Sequence, residues 1–363
     1  MRKLFDNVFD GKTVLVTGHT GFKGSWLSIW LNELGANIVG YALPPYTEND
    51  NFVVTNLEDK ITSVIGDIRD YDKLLAVFKR YKPDMAFHLA AQALVRLSYE
   101  RPKETYDINV GGTVNFFEAV RKTESVKVTI NVTSDKCYEN KEWTWGYREN
   151  DPVGGYDPYS SSKGCSELIT TAYKKSFFYS NKAISSVRAG NVIGGGDWGK
   201  DRLIPDCIKA LKNNYEIQIR MPKAIRPWQY VLEPLYGYLL LASKMYTDEQ
   251  KYSGAWNFGP KHNSILTVEE MVKKVIKYWG RGNWKDVTQS DKNQSHETKF
   301  LMLDISKALN CLGWEPILYV DAAIKFTVEW YKKDNLTYEF DVNQINRYIE
   351  KLNENLQFRN IKE

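Results

Sequence analysis

Tyr159-Ser160-Ser161-Ser162-Lys163 places a phenol and an ammonium four residues apart. On a helix that spacing puts both side chains on one face. A nearby ammonium favours the tyrosinate, so Tyr159 can act as a base toward a hydroxyl. Upstream stands Gly18-His19-Thr20-Gly21-Phe22-Lys23-Gly24, a G-x-x-G-x-x-G loop. Its first glycine permits a tight turn and its second lets the backbone approach a pyrophosphate at a helix N-terminus. Its third permits close packing of helix on strand. Y-x-x-x-K alone is common by chance, but the two motifs together point to a dinucleotide site. Gly18, His19, Gly21, Phe22, Lys23 and Gly24 are then candidate cofactor residues. Tyr159 and Lys163 join them, with Lys163 placed to hold the nicotinamide ribose.

These motifs need a frame. Thr13–Thr17 reads as a strand running into the glycine loop, followed by a helix over Trp26–Leu34. Further strands read at Asn37–Tyr41, Ile61–Ile65, Met85–Leu89, Val126–Thr133 and Ala183–Arg188. Helices read at Tyr71–Tyr81 and Thr105–Arg121, and over residues 160–180. Continuous apolar strands separated by helices predict an α/β fold, a Rossmann-type doubly wound parallel sheet. After about residue 190 the alternation fades, which predicts a smaller mixed C-terminal substrate lobe. The expected division is 1–190 and 191–363, with Trp256–Gly259 returning to the main sheet. The charged, Asn-rich tail from Leu336 reads as a peripheral helix.

Strand ends supply further candidates. Gly40-Tyr41-Ala42-Leu43 has neither the acid that binds ribose hydroxyls nor an Arg, so the usual NAD discriminator is silent. The lack of a basic phosphate clamp favours NAD over NADP. Asp67 either meets an adenine edge or caps the following helix. Leu89, Ala90 and Ala91 end a strand with mostly small side chains that let a cofactor lie close.

Composition excludes several classes. The chain carries 49 Lys and Arg against 45 Asp and Glu, a net charge of +4, which argues for no nucleic acid and no anionic membrane as partner. Cys137, Cys165, Cys207 and Cys311 are scattered, without a disulfide framework or zinc spacing, so no metal is expected and a reducing cytoplasm is the simplest setting. No apolar run approaches the roughly 20 residues of a membrane span, and the first ten residues are not a signal peptide.

The chain resembles the extended short-chain dehydrogenase/reductase superfamily over nearly its whole length. Most nearly it resembles the CDP-glucose 4,6-dehydratase branch. The resemblance rests on Thr17–Gly24, Gly40–Pro45, His88–Tyr99, Thr133–Tyr138, Trp145–Lys163, Arg188–Trp198 and Arg226–Pro234. It implies bound NAD, a nucleotide-sugar substrate and a role in deoxysugar or polysaccharide biosynthesis. In that superfamily the dTDP-glucose dehydratases carry Thr-Asp-Glu where this chain has Ser134-Asp135-Lys136, and the CDP-glucose branch has Asp-Lys. The resemblance therefore implies Asp135 as general acid, Lys136 as base and Ser134 as a partner of the sugar 4-oxygen. The bland reading of Asp135-Lys136 is a surface salt bridge. Asn191 resembles the asparagine that meets the substrate diphosphate. Arg202 and Arg226 are candidates for phosphate charge, because a guanidinium binds it bidentately, and Arg96 faces sugar or cofactor. Trp143 and Trp145 either cover the sugar or pack. His296-Glu297 is family-like but carries no assigned role. The resemblance implies a homodimer or homotetramer, paired through the Thr105–Arg121 helix and the helix over 160–180. The alternatives are a dehydratase of another NDP-hexose or a GDP-heptose, an NDP-sugar 4-epimerase, and a non-catalytic NAD-binding protein.

Overall fold

The computed structural model describes residues 1–178, 182–261, 264–288 and 300–360. Seven parallel strands form its central sheet: β1 (Thr13–Thr17), β2 (Asn37–Ala42), β3 (Thr62–Ile65), β4 (Met85–His88), β5 (Val128–Val132), β6 (Ala183–Arg188) and β7 (Gly254–Asn257). Their spatial order is β7-β6-β5-β4-β1-β2-β3, so the order reverses beside β1 and leaves a crevice at its C-terminal end. The strands form because their residues serve two apolar faces at once. Val14 and Val16 of β1 face one core with Trp26 and Trp30. Leu15 faces the other with Phe78, Phe116 and Phe117. That alternation is the period of two of a strand buried on both sides.

The elements expected from the sequence are present, and their differences have local causes. Helix α1 (Phe22–Glu33) begins inside the glycine loop, four residues earlier than the apolar spacing indicated. The second helix expected is present as α2 (Tyr71–Tyr81). The single helix expected over Thr105–Arg121 is a helix Pro102–Tyr106, a π-helical stretch Asp107–Gly111 and then α3 (Gly112–Arg121). There Asn109 turns inward. Its side chain accepts from Gln92 N at 2.8 Å and donates to Gln92 O at 3.0 Å, which the wider helical turn permits. Helix α4 (Pro158–Phe177) starts where Asp157 accepts from Ser160 N at 2.9 Å with proline at the first position. Residues 179–181, at the end of the predicted helix, lie outside the described residues.

The rest of the chain is not a simple appendage. β7 pairs in parallel with β6, Trp256 opposite Val187 and Asn257 opposite Arg188. Helix α5 (Leu232–Thr247) covers one sheet face. The smaller pairings are Val192–Ile193 with Gln229–Tyr230, Ile225–Pro227 with Ile265–Thr267, and Ile217–Ile219 with Trp284–Asp286. The tail is a correction: helix α6 (Tyr338–Asn360) is not peripheral. Ile345, Tyr348 and Leu352, spaced three and four apart, are buried, and Tyr348 meets Trp30 edge-on at 5.8 Å. Their stripe is narrow, so the charged composition around it hid the packing.

Candidate active site

The glycine loop is built for close approach. Gly18 has φ +75°, and a Cβ there would stand 2.8 Å from Ala90 N. A Cβ on Gly24 would stand 2.0 Å from Gly18 O, so helix and turn touch backbone to backbone. Gly21 is different. A Cβ there would meet only Gly18 O at 3.4 Å, an ordinary contact. Gly21 is exposed and caps α1 with no side-chain hydrogen bond to the first helical amides. Nothing inside the protein requires a glycine at 21, and uncapped amides point at the space it leaves. That combination fits a pyrophosphate.

The neighbouring strand end is fastened by Thr17. Its hydroxyl oxygen accepts from Leu89 N at 3.1 Å and Ala90 N at 3.2 Å, and pairs with His88 Nδ1 at 2.8 Å. Leu89, Ala90 and Ala91 are half-buried there. The His19 ring lies across Gly40 and pairs through Nε2 with Ser63 at 2.8 Å. Burial pushes it down to about 4, so it is neutral packing inside the loop. The Phe22 ring rests on Gly194. Asp67 is not the helix cap; Asp70 is, accepting from Lys73 N at 3.0 Å. Asp67 instead holds Arg69 at 2.6 Å, and that hydrogen bond draws its carboxyl below the usual range.

Tyr159 and Lys163 are both buried in the first turns of α4. Tyr159 N donates to Ser98 Oγ at 3.1 Å, tying the helix start to the short helix Val95–Glu100 that carries Arg96. Burial pushes the Tyr159 phenol up to about 12. The nearby Ser134 hydroxyl and the Arg202 charge draw it down, while the Asp135 charge pushes it up. The Lys163 ammonium donates to Val132 O at 3.3 Å, and burial pushes it down to about 8. The spacing therefore places both buried groups in the first turns of one helix, where Ser134 and Arg202 also act on the phenol.

β5 runs on into Thr133-Ser134-Asp135-Lys136, which bends into a single tight turn over Asp135–Cys137. Asp135 is buried and accepts from Ser134 Oγ at 2.9 Å. Lys136 is half-buried, and among the described residues it forms no ion pair with Asp135. The surface salt bridge is thus overturned: the carboxyl turns inward against Gly190 and Ser134, and the Lys136 side chain is left for other work. Lys23 reaches the same cluster. Burial pushes it down to about 8, and it feels the charges of Arg202, Lys163, Asp135 and Asp197. Lys23, Arg202 and Lys163 thus lie near one another beside the glycine loop, interleaved with the carboxylates of Asp135 and Asp197.

The other predicted substrate residues are dispersed: Arg96 lies in the helix Val95–Glu100, Asn191 and Arg202 follow β6, and Arg226 lies in the paired segment Ile225–Pro227. Asn191 has φ +50°, and its carbonyl accepts from Gln229 N at 3.2 Å. Arg202 holds Asp197 at 2.9 Å. Arg96 lies 3.9 Å from Asp201, which Arg220 approaches at 3.3 Å. Arg226 donates to Ile225 O at 2.9 Å. Trp143 stacks on Tyr147 at 5.2 Å and 10°, which is packing, while Trp145 is exposed. His296 and Glu297 lie outside the described residues. The sequence reading missed Gln92 and Asn109, which brace the loop after β4, with Asn109 also donating to Ser162 at 2.9 Å. The faint signal was an Asn followed by Gly111-Gly112 in a helix.

A family profile described as GDP-mannose 4,6 dehydratase matches residues 15–327. The CDP-glucose 4,6-dehydratase of Salmonella typhimurium is 51% identical over 333 residues, covering 90% of this chain and 92% of its own. The fold is shared with a dTDP-glucose 4,6-dehydratase from Bacillus anthracis solved in complex with NAD, at TM-score 0.74 and 23% identity, covering 89% of this chain and 97% of that one. It is shared also with an epimerase from Methanothermobacter thermautotrophicus, at TM-score 0.77 and 24% identity, covering 89% and 93%. From the glycine loop to the Tyr159 cluster, this chain belongs to the GDP-mannose 4,6 dehydratase family, within the extended short-chain dehydrogenase/reductase superfamily.

Proposed function

We propose that the chain converts CDP-glucose to CDP-4-keto-6-deoxyglucose by oxidation, elimination of water and reduction around a bound NAD. The observation that carries the reading is a buried Ser134–Asp135 pair at the end of β5, near the buried Tyr159 and Lys163 of α4. An epimerase has no use for an acid and a base at this strand end. The 51% identity with the Salmonella typhimurium enzyme supports the substrate class, and the uncapped α1 amides beside Gly21 support a pyrophosphate-bearing cofactor.

When bound, NAD would supply a hydride acceptor at sugar C4 and a hydride donor at C6. Gly18, Gly21 and Gly24 would hold its pyrophosphate, and Lys163 its ribose. Tyr159 removes the 4-hydroxyl proton while Ser134 bonds the 4-oxygen. The 4-ketone acidifies the C5 proton, which Lys136 takes as the neutral amine. Asp135 protonates the departing 6-hydroxyl, which leaves as water. A proton then returns to C5. Asn191, Arg202, Arg226 and Arg96 would face the substrate, with Arg202 and Arg226 supplying charge for its diphosphate.

The chain pairs with itself through the Pro102–Arg121 segment and α4, where Tyr106, Leu168 and Phe177 are exposed. Residues 1–190 bind the cofactor, and residues 191–363 mainly bind the nucleotide sugar. The protein works in the cytoplasm; among the described residues no helix is long and apolar enough to cross a membrane.

The test is incubation with CDP-glucose, other NDP-hexoses and a GDP-heptose, with and without added NAD, read by mass spectrometry. Loss of one water from CDP-glucose is expected. Water loss only from another sugar would replace the substrate and keep the chemistry. No water loss from any of them, with folded protein and bound NAD, would overturn the reading.

A further inference from the structure

Beneath the Tyr159 cluster lies a second set of charges that the chemistry does not use. Glu167 sits four residues beyond Lys163 on the same face of α4 and is 3% exposed. Its Oε1 accepts from the Thr133 hydroxyl. Its Oε2 accepts from Ser186 Oγ at 2.6 Å and from Arg188 Nη2 at 2.7 Å. Arg188 is equally buried. It continues the chain through Nη1, which donates to the Tyr138 hydroxyl at 2.6 Å and to Glu149 O at 3.1 Å. The Arg188 guanidinium also lies over the Tyr138 ring, 4.7 Å from its centroid.

The placement is what matters. Thr133 is the residue before Ser134 and Asp135, and Tyr138 is the residue after their turn. One carboxylate and its guanidinium therefore grip both ends of the segment that carries the acid and the base. A buried ion pair is an expensive filler, because desolvation of two charges offsets most of their attraction, and apolar side chains of equal volume would stabilise the core as well or better. Its bonds here run to the two ends of one short turn.

We propose that Glu167 and Arg188 are positioning residues that clamp the Thr133–Tyr138 turn, so that Ser134 and Asp135 meet Tyr159 and the substrate. The proposal rests on the dehydratase reading above. Misplacing a reacting group by about an ångström can cost on the order of 10²-fold in rate.

The bonds to Glu167 provide their own control. Thr133→Val removes the bond from the catalytic strand end, and Ser186→Ala removes one from β6, away from the turn. Expected is a fall in kcat of about tenfold or more for Thr133→Val, with KM within about twofold. Ser186→Ala stays within about twofold of wild type in kcat, with a similar loss of melting temperature. Thr133→Ser, which keeps the hydroxyl, restores kcat. Equal kcat for Thr133→Val and Ser186→Ala, or a Thr133→Ser as slow as Thr133→Val, overturns the clamp. Should Thr133→Val not fold, Glu167→Asp decides: its shorter reach lowers kcat without raising KM, and an unchanged kcat overturns the clamp. A wild-type protein that forms no 4-keto-6-deoxy product overturns the dehydratase reading and the inference with it.

Discussion

Asp135 and Gly190 touch so closely that a β-carbon on the glycine would stand 1.8 Å from Asp135 Oδ2. Gly190 follows β6, and its carbonyl accepts from Gln229 Nε2 at 3.1 Å, so its backbone is held. The carboxyl must therefore be the partner that moves. Gly190→Ala is expected to fold, with a melting temperature within a few degrees of wild type, and to lose about 10- to 100-fold in kcat. Paired thermal and kinetic measurements check this; unchanged turnover would show that Asp135 can shift without consequence.

The roles of Tyr159 and Asp135 separate in time. Tyr159→Phe is expected to abolish even the first oxidation, on the order of 10³-fold or more. Asp135→Asn should oxidise the sugar and then stall. Stopped-flow absorbance of the reduced nicotinamide would rise and persist in Asp135→Asn and stay flat in Tyr159→Phe. A flat trace in both would place Asp135 before the elimination.

Gly24 and Gly21 answer to different masters. Gly24→Ala collides with Gly18 O and should unfold the loop, at a cost of about 1–3 kcal/mol or more. Gly21→Ala meets nothing tighter than 3.4 Å. It should keep the melting temperature of the cofactor-free protein while weakening NAD binding by about tenfold or more. Calorimetric titration with NAD distinguishes the two; unaltered affinity in Gly21→Ala would leave its glycine unexplained.

Asp341, in α6, is buried and accepts from Trp330 Nε1 at 2.9 Å. Burial pushes it up to about 7 from its ordinary value of 3.8. The folded protein therefore binds this proton more tightly than the unfolded chain. The stability it contributes is full below pH 3.8 and is lost as pH rises through about 7. Asp341→Asn removes that dependence. Its melting temperature should exceed that of wild type at pH 8 and the excess should shrink at pH 5.5. Differential scanning calorimetry at the two values reads it, and an excess that grows toward acid would contradict the sign.

What was legible in the sequence was local. Six strands, the glycine loop and the Tyr159–Lys163 face followed from spacing, because the physics that sets them acts over a few residues. Beyond the return of the Trp256 segment to the main sheet, pairings across it were not legible. Nothing in the pattern tells Glu167 to choose Arg188, since buried partners are selected by strand order. The inward turn of Asn109 was hidden because a π-helical stretch has the composition of a helix. The freedom of Lys136 from Asp135 was equally invisible, since adjacent charges look like a pair until the backbone turns one of them inward.

The edge strand β7 comes from the latter part of the chain, yet it covers β6 and supplies Asn257, whose Oδ1 accepts from the Tyr138 hydroxyl at 2.8 Å. During synthesis on the ribosome, β6 emerges long before its neighbour. Until β7 arrives, β6 presents an open row of amides and carbonyls, a template for wrong partners. Tyr138 also lacks its amide acceptor until then. The nascent chain thus holds every catalytic side chain before it can fix them in place, and a ribosome that stalls in that interval would release an aggregation-prone fragment rather than a slow enzyme.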